Sequence, residues 1–175
     1  VTDSFIDEAA IIRGVIPEKV TQVYSSPLMR CRKLAEHLFP DHVVSWEPDL
    51  QELNCGEWEM QHWDEIPRDV IDPWMKDFVN VCIPGGESYV QMHQRVSKCF
   101  EKIVQSSRPS VAIAHGGVIR SILAHITDTA LIDSFGSFKP HYGCVIKIEE
   151  NAGELRYEIL SNIATEKEQH KPSRF

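Results

Sequence analysis

A histidine followed by two glycines, at residues 115–117, is the motif in this sequence that most directly suggests chemistry. The mostly apolar residues 111–114 predict a buried strand, and apolar residues recur at helical spacing from 118 to 126. His115 then lies at the carboxyl end of a strand, where ligands of open α/β sheets bind. Gly116 and Gly117 permit a sharp turn, and the first amides of a helix suit an anion. His115 and Gly116 are therefore predicted to contact a phosphate or carboxylate; a core histidine in a βα turn is the alternative.

An arginine occupies a similar place in a second predicted βα unit. Residues 20–24 predict a short strand. Ser26 as N-cap and Pro27 as the first helical residue then predict a helix that ends near Leu38. Arg30 would lie in the first turn of this helix, where the helix dipole disfavours a cation, and a bound anion would offset that cost. Arg30 is therefore a candidate phosphate ligand, and a solvated surface arginine is the alternative.

Three glutamates lie in the loop that follows the next predicted strand. Glu52, Glu57 and Glu59 alternate there with apolar residues that can anchor the loop on the core. One of these carboxylates is expected to face the pocket beside His115. Glutamate is seldom buried without a partner, so solvent exposure is the alternative for each of the three. The residues alone leave open which glutamate faces the site.

Composition and charge exclude several classes of function. The 175 residues carry a net charge of −8, which argues against non-specific nucleic-acid binding. No apolar run approaches the length of a bilayer span and no signal-peptide pattern is present, so we expect no membrane partner and a cytoplasmic location. The five cysteines form no C-x-x-C pair, which argues against a disulfide framework. The other histidines lack metal-ligand spacing, so no metal is predicted.

The remaining patterns complete an α/β fold. The further predicted elements are a first helix capped by Asp3 or Ser4, a strand at 42–46, two short helices within 62–80 broken at Pro67 and Pro73, a long helix beginning at Glu87 or Ser88, a short helix at 131–135, and a hairpin of strands 143–148 and 155–160. The expected architecture has three layers, α/β/α, with a mainly parallel central sheet and the C-terminal hairpin as an antiparallel edge. One domain is predicted over residues 1–164, followed by a polar tail over 165–175.

Four motifs occur together along the chain: SSPLMRCR, LQELNCGEWE, PGGES with a downstream QRV, and AHGGVIR. In this order and spacing they resemble the histidine phosphatase superfamily, which includes the cofactor-dependent phosphoglycerate mutases. Within the superfamily the chain looks most like the small phosphatases grouped with α-ribazole phosphatase. The resemblance implies a phosphoglycerate mutase-like fold. It also implies hydrolysis of a small phosphorylated metabolite, with α-ribazole 5′-phosphate of cobalamin nucleotide-loop assembly as the candidate substrate.

The resemblance further implies a role for each candidate residue. In the family, one histidine attacks phosphorus, a second histidine and two arginines hold the phosphoryl oxygens, and a glutamate protonates the leaving group. Carried over to this sequence, His115 is the second histidine, Arg30 is one of the arginines, and Glu52 is the acid. The route forms a phosphohistidine and requires neither a metal nor a cofactor.

The sequence departs from the family pattern at the nucleophile. It contains no R-H-G or R-H-T turn, and His115 is the only histidine followed by glycine. By resemblance, the nucleophile is missing, together with a first strand that belongs beside the one ending at His115. We therefore expect a fragment of a longer phosphatase, inactive as these 175 residues alone. A phosphoglycerate mutase and a non-catalytic phosphate- or partner-binding domain are the alternatives, and a homodimer stays open.

Overall fold

A three-stranded parallel sheet lies at the centre of the computed structural model, which describes residues 5–163. The strand order is β2-β1-β3, with these bounds: β1 (Gln22–Ser25), β2 (Val44–Trp46) and β3 (Ser110–Ile113). Ser25 is aligned with Trp46 on one side and with Ile113 on the other. The three strands therefore end at the same edge of the sheet, and the segments that carry the candidate residues begin there.

Helices cover both faces of this sheet, which confirms the three-layer arrangement. The α-helices within the described residues are α1 (Phe5–Val15), α2 (Met29–Leu38), α3 (Arg68–Lys76), α4 (Tyr89–Gln105), α5 (Gly116–Thr127) and α6 (Ser134–Ser137). Successive side chains of a strand point to opposite faces. Val23 accordingly packs in one cluster with α1 and α2, and Tyr24 packs in another with α4 and α5.

The longest helix, α4, is capped by Ser88, one of the two residues predicted to start it. Ser88 is its N-cap: the Ser88 Oγ accepts the N–H of Gln91 at 3.4 Å, and the Gln91 Oε1 accepts the N–H of Ser88 at 2.9 Å. This reciprocal capping box satisfies two amides that the helix itself leaves unbonded. Met92 and Val96 lie on its buried face, in contact with the core beside α5.

The start of α2 differs from the prediction. Leu28 is the N-cap residue, so the predicted N-cap at Ser26 and first helical position at Pro27 are wrong. Leu28 is extended, with ψ of 140°, and donates its N–H to the Ser26 Oγ at 3.3 Å. The reason is that the Ser26 side chain is buried against His115, which keeps the residues before Met29 in a turn.

Residues 62–80 form a 3₁₀ turn and one α-helix. The turn spans Trp63–Glu65, and α3 runs through Pro73, so the predicted break at this proline is wrong. Proline removes one hydrogen bond from a helix interior. The ring of Trp74 packs edge-on against Trp58 with centroids 5.6 Å apart, and this aromatic contact holds the last turn of α3 in place.

The C-terminal hairpin is present but is not an edge of the parallel sheet. Strands β4 (Val145–Asn151) and β5 (Glu154–Ser161) pair only with each other, and among residues 5–163 strand β3 pairs only with β1. The predicted antiparallel edge is therefore wrong. The hairpin joins the fold through side chains instead of strand hydrogen bonds, because Ile148 and Leu155 pack into the core cluster of α4 and α5.

Two predictions concern residues outside the described range: the cap at Asp3 or Ser4 and the polar tail over 165–175. The single domain over 1–164 stays a prediction. The predicted short helix at 131–135 is a 3₁₀ turn followed directly by α6. No helix between residues 5 and 163 combines the length and the apolar composition that crossing a bilayer requires.

Candidate active site

His115 lies between β3 and α5, and two distant segments hold its imidazole. It is the N-cap residue of α5 and is only 5% exposed. Its Nδ1 accepts the Nε–H of Arg30 at 2.8 Å. Its Nε2 lies 2.8 Å from the Oγ of Ser26, the residue after β1. The fold thus brings the ends of two neighbouring strands and the first turn of α2 to one place.

The contact with Arg30 determines which ring nitrogen of His115 carries hydrogen. A guanidinium group only donates, so Nδ1 is the unprotonated nitrogen and the Nε2–H donates to Ser26. Burial, followed by the positive charges of Arg30 and Arg95, lowers the pKa of His115 to about 3. The imidazole is therefore neutral at pH 7, with both nitrogens engaged.

Arg30 is exposed, and one hydrogen bond to His115 holds its side chain. Its Nε–H binds His115, which a purely solvated arginine would not do. Within residues 5–163 its Nη1 and Nη2 have no hydrogen-bond partner, and no carboxylate forms an ion pair with it. Two coplanar donor nitrogens are therefore available beside His115, an arrangement that suits bidentate binding of a phosphoryl oxyanion.

Of the three candidate glutamates, Glu52 is the one that reaches the first turn of α5. Its Oε2 accepts the N–H of Gly117 at 3.1 Å, and its Oε1 accepts the N–H of Leu53 at 3.0 Å. Glu52 is half-buried, whereas Glu57 and Glu59 are exposed. The structure therefore brings Glu52 next to the residue pair that follows His115, and it leaves the other two glutamates on the surface.

Gly117 makes the approach of Glu52 possible. A Cβ atom at this position would overlap the Oε1 of Glu52, so any side chain would displace the carboxylate. A Cβ at Gly116 would lie 3.5 Å from the Nη1 of Arg120, an ordinary contact. Gly116 is the first residue of α5 and stays a predicted phosphate ligand through its amide.

An arginine of α4 fixes the loop that carries Glu52. The Nη atoms of Arg95 donate to the main-chain oxygens of Asp49, Gln51 and Glu52 at 2.8, 2.9 and 3.2 Å. Arg95 also pairs with Glu87, the Nη2 to Oε1 distance being 2.5 Å, and the two side chains are 21% and 17% exposed. The loop is therefore tied to α4 by a largely buried ion pair.

Sequence reasoning misses three parts of this site: the Ser26 contact, the Gly117 amide and the role of Arg95. Ser26 could have been found, because it directly follows the strand next to the one that precedes His115, at the same edge of the sheet. The sequence pattern places Gly117 only in the turn after His115. No local pattern connects Arg95 with the Glu52 loop, since their hydrogen bonds join positions 43 to 46 apart.

A buried thiol packs beside the imidazole. The Sγ of Cys31 lies 3.5 Å from the Nε2 of His115 and donates to the carbonyl oxygen of Ala114 at 3.3 Å. Burial raises the pKa of Cys31 to about 11, so the group stays a thiol at neutral pH. All five cysteines are free thiols in the structure.

No group of three or more histidine, cysteine, aspartate or glutamate side chains within residues 5–163 is arranged to hold a metal ion. Two histidines between α4 and α5 have protein partners. The Nδ1 of His93 lies 2.9 Å from the Oγ of Ser121, and the Nε2 of His125 lies 3.4 Å from the Oε1 of Glu101. Both side chains are therefore engaged with neighbouring residues of α4 and α5.

Residues 9–163 match the Histidine phosphatase superfamily (branch 1). The match covers most of the chain, and the chain belongs to this superfamily. The resemblance drawn from the four sequence motifs is thereby confirmed.

Relatives of known or assigned activity share part of their length with this chain. The putative phosphoserine phosphatase 2 of Hydrogenobacter thermophilus is 30% identical over 135 residues, which are 73% of this chain and 66% of the relative. The adenosylcobalamin/alpha-ribazole phosphatase of Salmonella typhimurium is 24% identical over 153 residues, 82% of this chain and 74% of the relative. The 6-phosphofructo-2-kinase/fructose-2,6-bisphosphatase of Arabidopsis thaliana is 26% identical over 117 residues, 65% of this chain but only 16% of that protein.

Solved structures show the same fold. The alpha-ribazole phosphatase from Shigella flexneri has a TM-score of 0.82 and 20% identity, over 90% of this chain and 82% of that chain. A putative alpha-ribazole-5′-P phosphatase from Escherichia coli also has a TM-score of 0.82, with 22% identity, over 95% of this chain and 86% of that chain. The expected phosphoglycerate mutase-like fold is confirmed.

Proposed function

We propose that the native protein containing this chain is a phosphatase that hydrolyses small phosphomonoesters. The observation that carries this proposal is the contact between Arg30 and His115, with the terminal nitrogens of Arg30 unbonded within the described residues. This contact places hydrogen-bond donors for phosphoryl oxygens at the carboxyl edge of the sheet, next to the main-chain amides of the first turn of α5. Membership of the superfamily supports the same class of reaction.

A phosphoryl dianion would change the protonation of this site. The positive charge of Arg30 is one cause of the low pKa of His115. When the dianion binds Arg30, its negative charge offsets that effect and raises the pKa of His115. If the imidazole then takes up a proton on Nδ1, the Arg30 Nε–H leaves that nitrogen and turns to the dianion, and the Nδ1–H donates to a phosphoryl oxygen while the Nε2–H stays on Ser26. Arg30 and His115 thus act together on the charge that develops on the phosphoryl oxygens.

The proposed reaction consists of two displacements at phosphorus. In the first, a histidine nitrogen forms a bond to phosphorus, the bond to the alcohol oxygen breaks, and Glu52 gives its proton to that oxygen. In the second, the Glu52 carboxylate takes a proton from water, the water oxygen bonds to phosphorus, and the phosphorus–nitrogen bond breaks. Inorganic phosphate leaves, and the histidine and the protonated Glu52 are restored.

We propose that the attacking histidine lies outside these 175 residues. The sequence has no R-H-G or R-H-T turn. His115 is a poor candidate for the role, because Nδ1 accepts from Arg30 and Nε2 binds Ser26. On this proposal the 175-residue chain binds phosphate but does not turn over.

Relatives suggest which substrates to test first. The Salmonella relative and the Shigella structure carry the name alpha-ribazole phosphatase, so α-ribazole 5′-phosphate is the first candidate. Phosphoserine is the second, after the name of the Hydrogenobacter relative. We further propose that the enzyme works in the cytoplasm on a free metabolite, without a metal or another cofactor and without nucleic-acid or membrane partners, as a monomer or a homodimer.

Two other functions make different predictions. A phosphoglycerate mutase would return the phosphoryl group to a glycerate and release little inorganic phosphate. A non-catalytic domain would bind phosphate without breaking an ester. Phosphate release from a monoester by the full-length protein separates the proposed function from both alternatives.

The test uses the full-length native protein with α-ribazole 5′-phosphate and 4-nitrophenyl phosphate, each with and without a chelator. We expect hydrolysis of both esters, an acid-labile phosphoenzyme, and equal rates with the chelator. Glu52→Gln should lower kcat/KM for the alkyl ester by at least about tenfold more than for the nitrophenyl ester, whose leaving group needs no proton. Glu57→Gln and Glu59→Gln are the matched controls and should resemble the wild type.

Each contrary result has a distinct meaning. Absence of phosphate release from either ester overturns the phosphatase proposal. Loss of activity with the chelator, restored by zinc or magnesium, overturns the metal-free route. Equal losses on both esters in Glu52→Gln show that Glu52 is not the acid, and a selective loss on the alkyl ester in Glu57→Gln or Glu59→Gln would assign that role to the altered glutamate.

A further inference from the structure

We infer that Arg95, together with Glu87, is a positioning residue that holds Glu52 where it can exchange a proton with the leaving group. Neither residue is placed to touch the phosphoryl group in the proposed function, on which this inference rests. Arg95 binds main-chain oxygens of the Glu52 loop, defined as residues 49–54.

Arg95 uses its whole guanidinium group on this task. Five hydrogen bonds leave the side chain: two go to the carboxylate of Glu87 and three go to main-chain oxygens of the Glu52 loop. An arginine has five N–H groups in one plane, so none is left over for another partner. The planar arrangement fixes the directions of these bonds, which the flexible ammonium group of a lysine cannot reproduce.

The Glu52 loop needs this support because it forms no regular hydrogen bonds where Glu52 lies. A 3₁₀ turn ends at Leu50, and residues 51–55 belong to no helix or strand. A buried carbonyl group without a partner costs free energy. Arg95 supplies partners for the carbonyl groups of Asp49, Gln51 and Glu52, and so determines the path of the main chain into Glu52.

A second set of contacts fixes the main chain after Glu52. The N–H of Asn54 donates to the Oε1 of Glu87 at 3.0 Å, and the N–H of Glu87 donates to the carbonyl oxygen of Asn54 at 3.1 Å. The two main chains approach so closely that a Cβ at Gly86 would overlap the oxygen of Asn54, and one at Gly56 would overlap the oxygen of Pro84. Arg95 and Glu87 therefore hold the loop on both sides of Glu52.

Within residues 5–163, no hydrogen bond of Arg95 or Glu87 reaches the phosphoryl site, and Arg95 acts on His115 only through its positive charge, which a lysine retains. The contacts of His115 with Arg30 and Ser26 come from other segments and do not pass through the Glu52 loop. Loosening the loop should therefore impair proton delivery and leave phosphate binding nearly intact. Arg95→Lys is the suitable variant, because it retains the positive charge and removes the planar set of donors.

The experiment measures kcat and KM of the full-length protein for α-ribazole 5′-phosphate and 4-nitrophenyl phosphate. For Arg95→Lys we expect kcat to fall at least about tenfold more on the alkyl ester than on the nitrophenyl ester. The inhibition constant of inorganic phosphate should change by less than about threefold. In the Glu52→Gln background, Arg95→Lys should have little further effect on the alkyl ester, because both changes remove the same proton transfer.

Arg13→Lys is a matched control. Arg13 lies on α1 and donates its Nη1–H to the carbonyl oxygen of Leu38 at 2.6 Å, so it also binds main chain, but between α1 and α2. Arg13→Lys should leave kcat and KM unchanged for both esters. If Arg95→Lys does not fold, Glu87→Gln takes its place, since it weakens the ion pair while preserving the shape of the side chain.

The outcomes distinguish this inference from the proposed function. A wild type that hydrolyses neither ester overturns the proposed function and this inference with it. If the wild type and Glu52→Gln behave as proposed but Arg95→Lys loses activity equally on both esters, this inference alone is overturned. Additive losses in the double variant overturn it as well.

Discussion

The main-chain amide of Gly117 donates its hydrogen to the Oε2 of Glu52 across 3.1 Å. The amides that open a helix carry partial positive charge, and here a carboxylate of the same chain occupies one of them. Glu52 is thereby held at the end of the helix that follows His115. The proposed acid and the proposed phosphate ligands consequently share the first turn of α5.

Gly117→Ala should impair proton delivery with little change in stability. The new Cβ displaces the Glu52 carboxylate and breaks its bond to the amide, a loss of about 1 kcal/mol. Alanine favours the helix over glycine by a similar amount, so the free energy of unfolding should change by less than about 1 kcal/mol. Activity on the alkyl ester should fall roughly tenfold more than on the nitrophenyl ester. Urea unfolding and the two-ester assay measure these quantities.

Gly14→Ala is the control for the helix effect, because a Cβ at Gly14 of α1 meets no atom within 4 Å. It should stabilise the protein by about 0.5 to 1 kcal/mol and leave both activities unchanged. A Gly117→Ala variant with wild-type preference between the esters would contradict the proposed link between Gly117 and Glu52.

Arg30→Ala should lower kcat/KM by roughly two to three orders of magnitude for every phosphomonoester tested. Its terminal nitrogens are proposed to bind phosphoryl oxygens, whose charge does not depend on the alcohol. The loss should therefore be the same for the alkyl and the nitrophenyl ester. Arg30→Lys should recover only part of it, because an ammonium group cannot bind two oxygens side by side.

Arg32→Ala is the matched control on the same helix. Arg32 pairs with Glu36 at 2.8 Å with 57% of its side chain exposed, and exposed pairs of this kind contribute little. Its activity should stay within about twofold of the wild type. A loss for Arg30→Ala that depends on the leaving group would argue against binding of the phosphoryl oxygens.

His115 should make the folded protein less stable as the pH falls below 6.5. Its pKa is about 3 in the folded state, against an ordinary 6.5, so between these values the unfolded chain binds a proton that the folded chain does not. The free energy of unfolding therefore decreases towards acid pH, by up to about 1.4 kcal/mol per pH unit. His115→Gln should remove this slope, as urea unfolding at pH 7.5, 6.5, 5.5 and 4.5 would show.

The comparison between the wild type and His115→Gln isolates the contribution of His115 to the pH dependence of stability. Burial also lowers the pKa of His93, but His93 is present in both proteins and cancels in the difference between their slopes. Parallel pH curves for the wild type and His115→Gln would contradict the neutral, buried state of this imidazole.

The parts of the fold that could be predicted are those encoded by neighbouring residues. Apolar spacing and the Ser88 cap predict α4, and apolar runs predict the strands before Ser26 and His115. The N-cap of α2 could not be predicted, because the hydroxyl of Ser26 binds a histidine 89 positions away. The hairpin follows from its turn residues, but whether it joins the parallel sheet depends on how the whole chain packs, and in the described residues it pairs only with itself.

The residues of the candidate site could be predicted in part from the sequence. Arg30, Glu52 and His115 are brought together as the family resemblance implies, and their roles stay predictions. Choosing Glu52 over Glu57 and Glu59 required that resemblance, because the three look alike in the sequence. The tautomer of His115 is set by a contact with a residue 85 positions away, which spacing does not predict.

These long spans also affect how the protein folds. The hydrogen bonds of Glu52 with Gly117 and of His115 with Arg30 join positions 65 and 85 apart. Closing such loops costs chain entropy, so these contacts form only when distant parts of the chain have come together. A ligand whose binding requires these long-range contacts binds the folded protein and not the unfolded chain. Phosphate at 100 times its dissociation constant would then add about 2.7 kcal/mol to the stability of the whole fold, and shifts in melting temperature would report occupancy of the site.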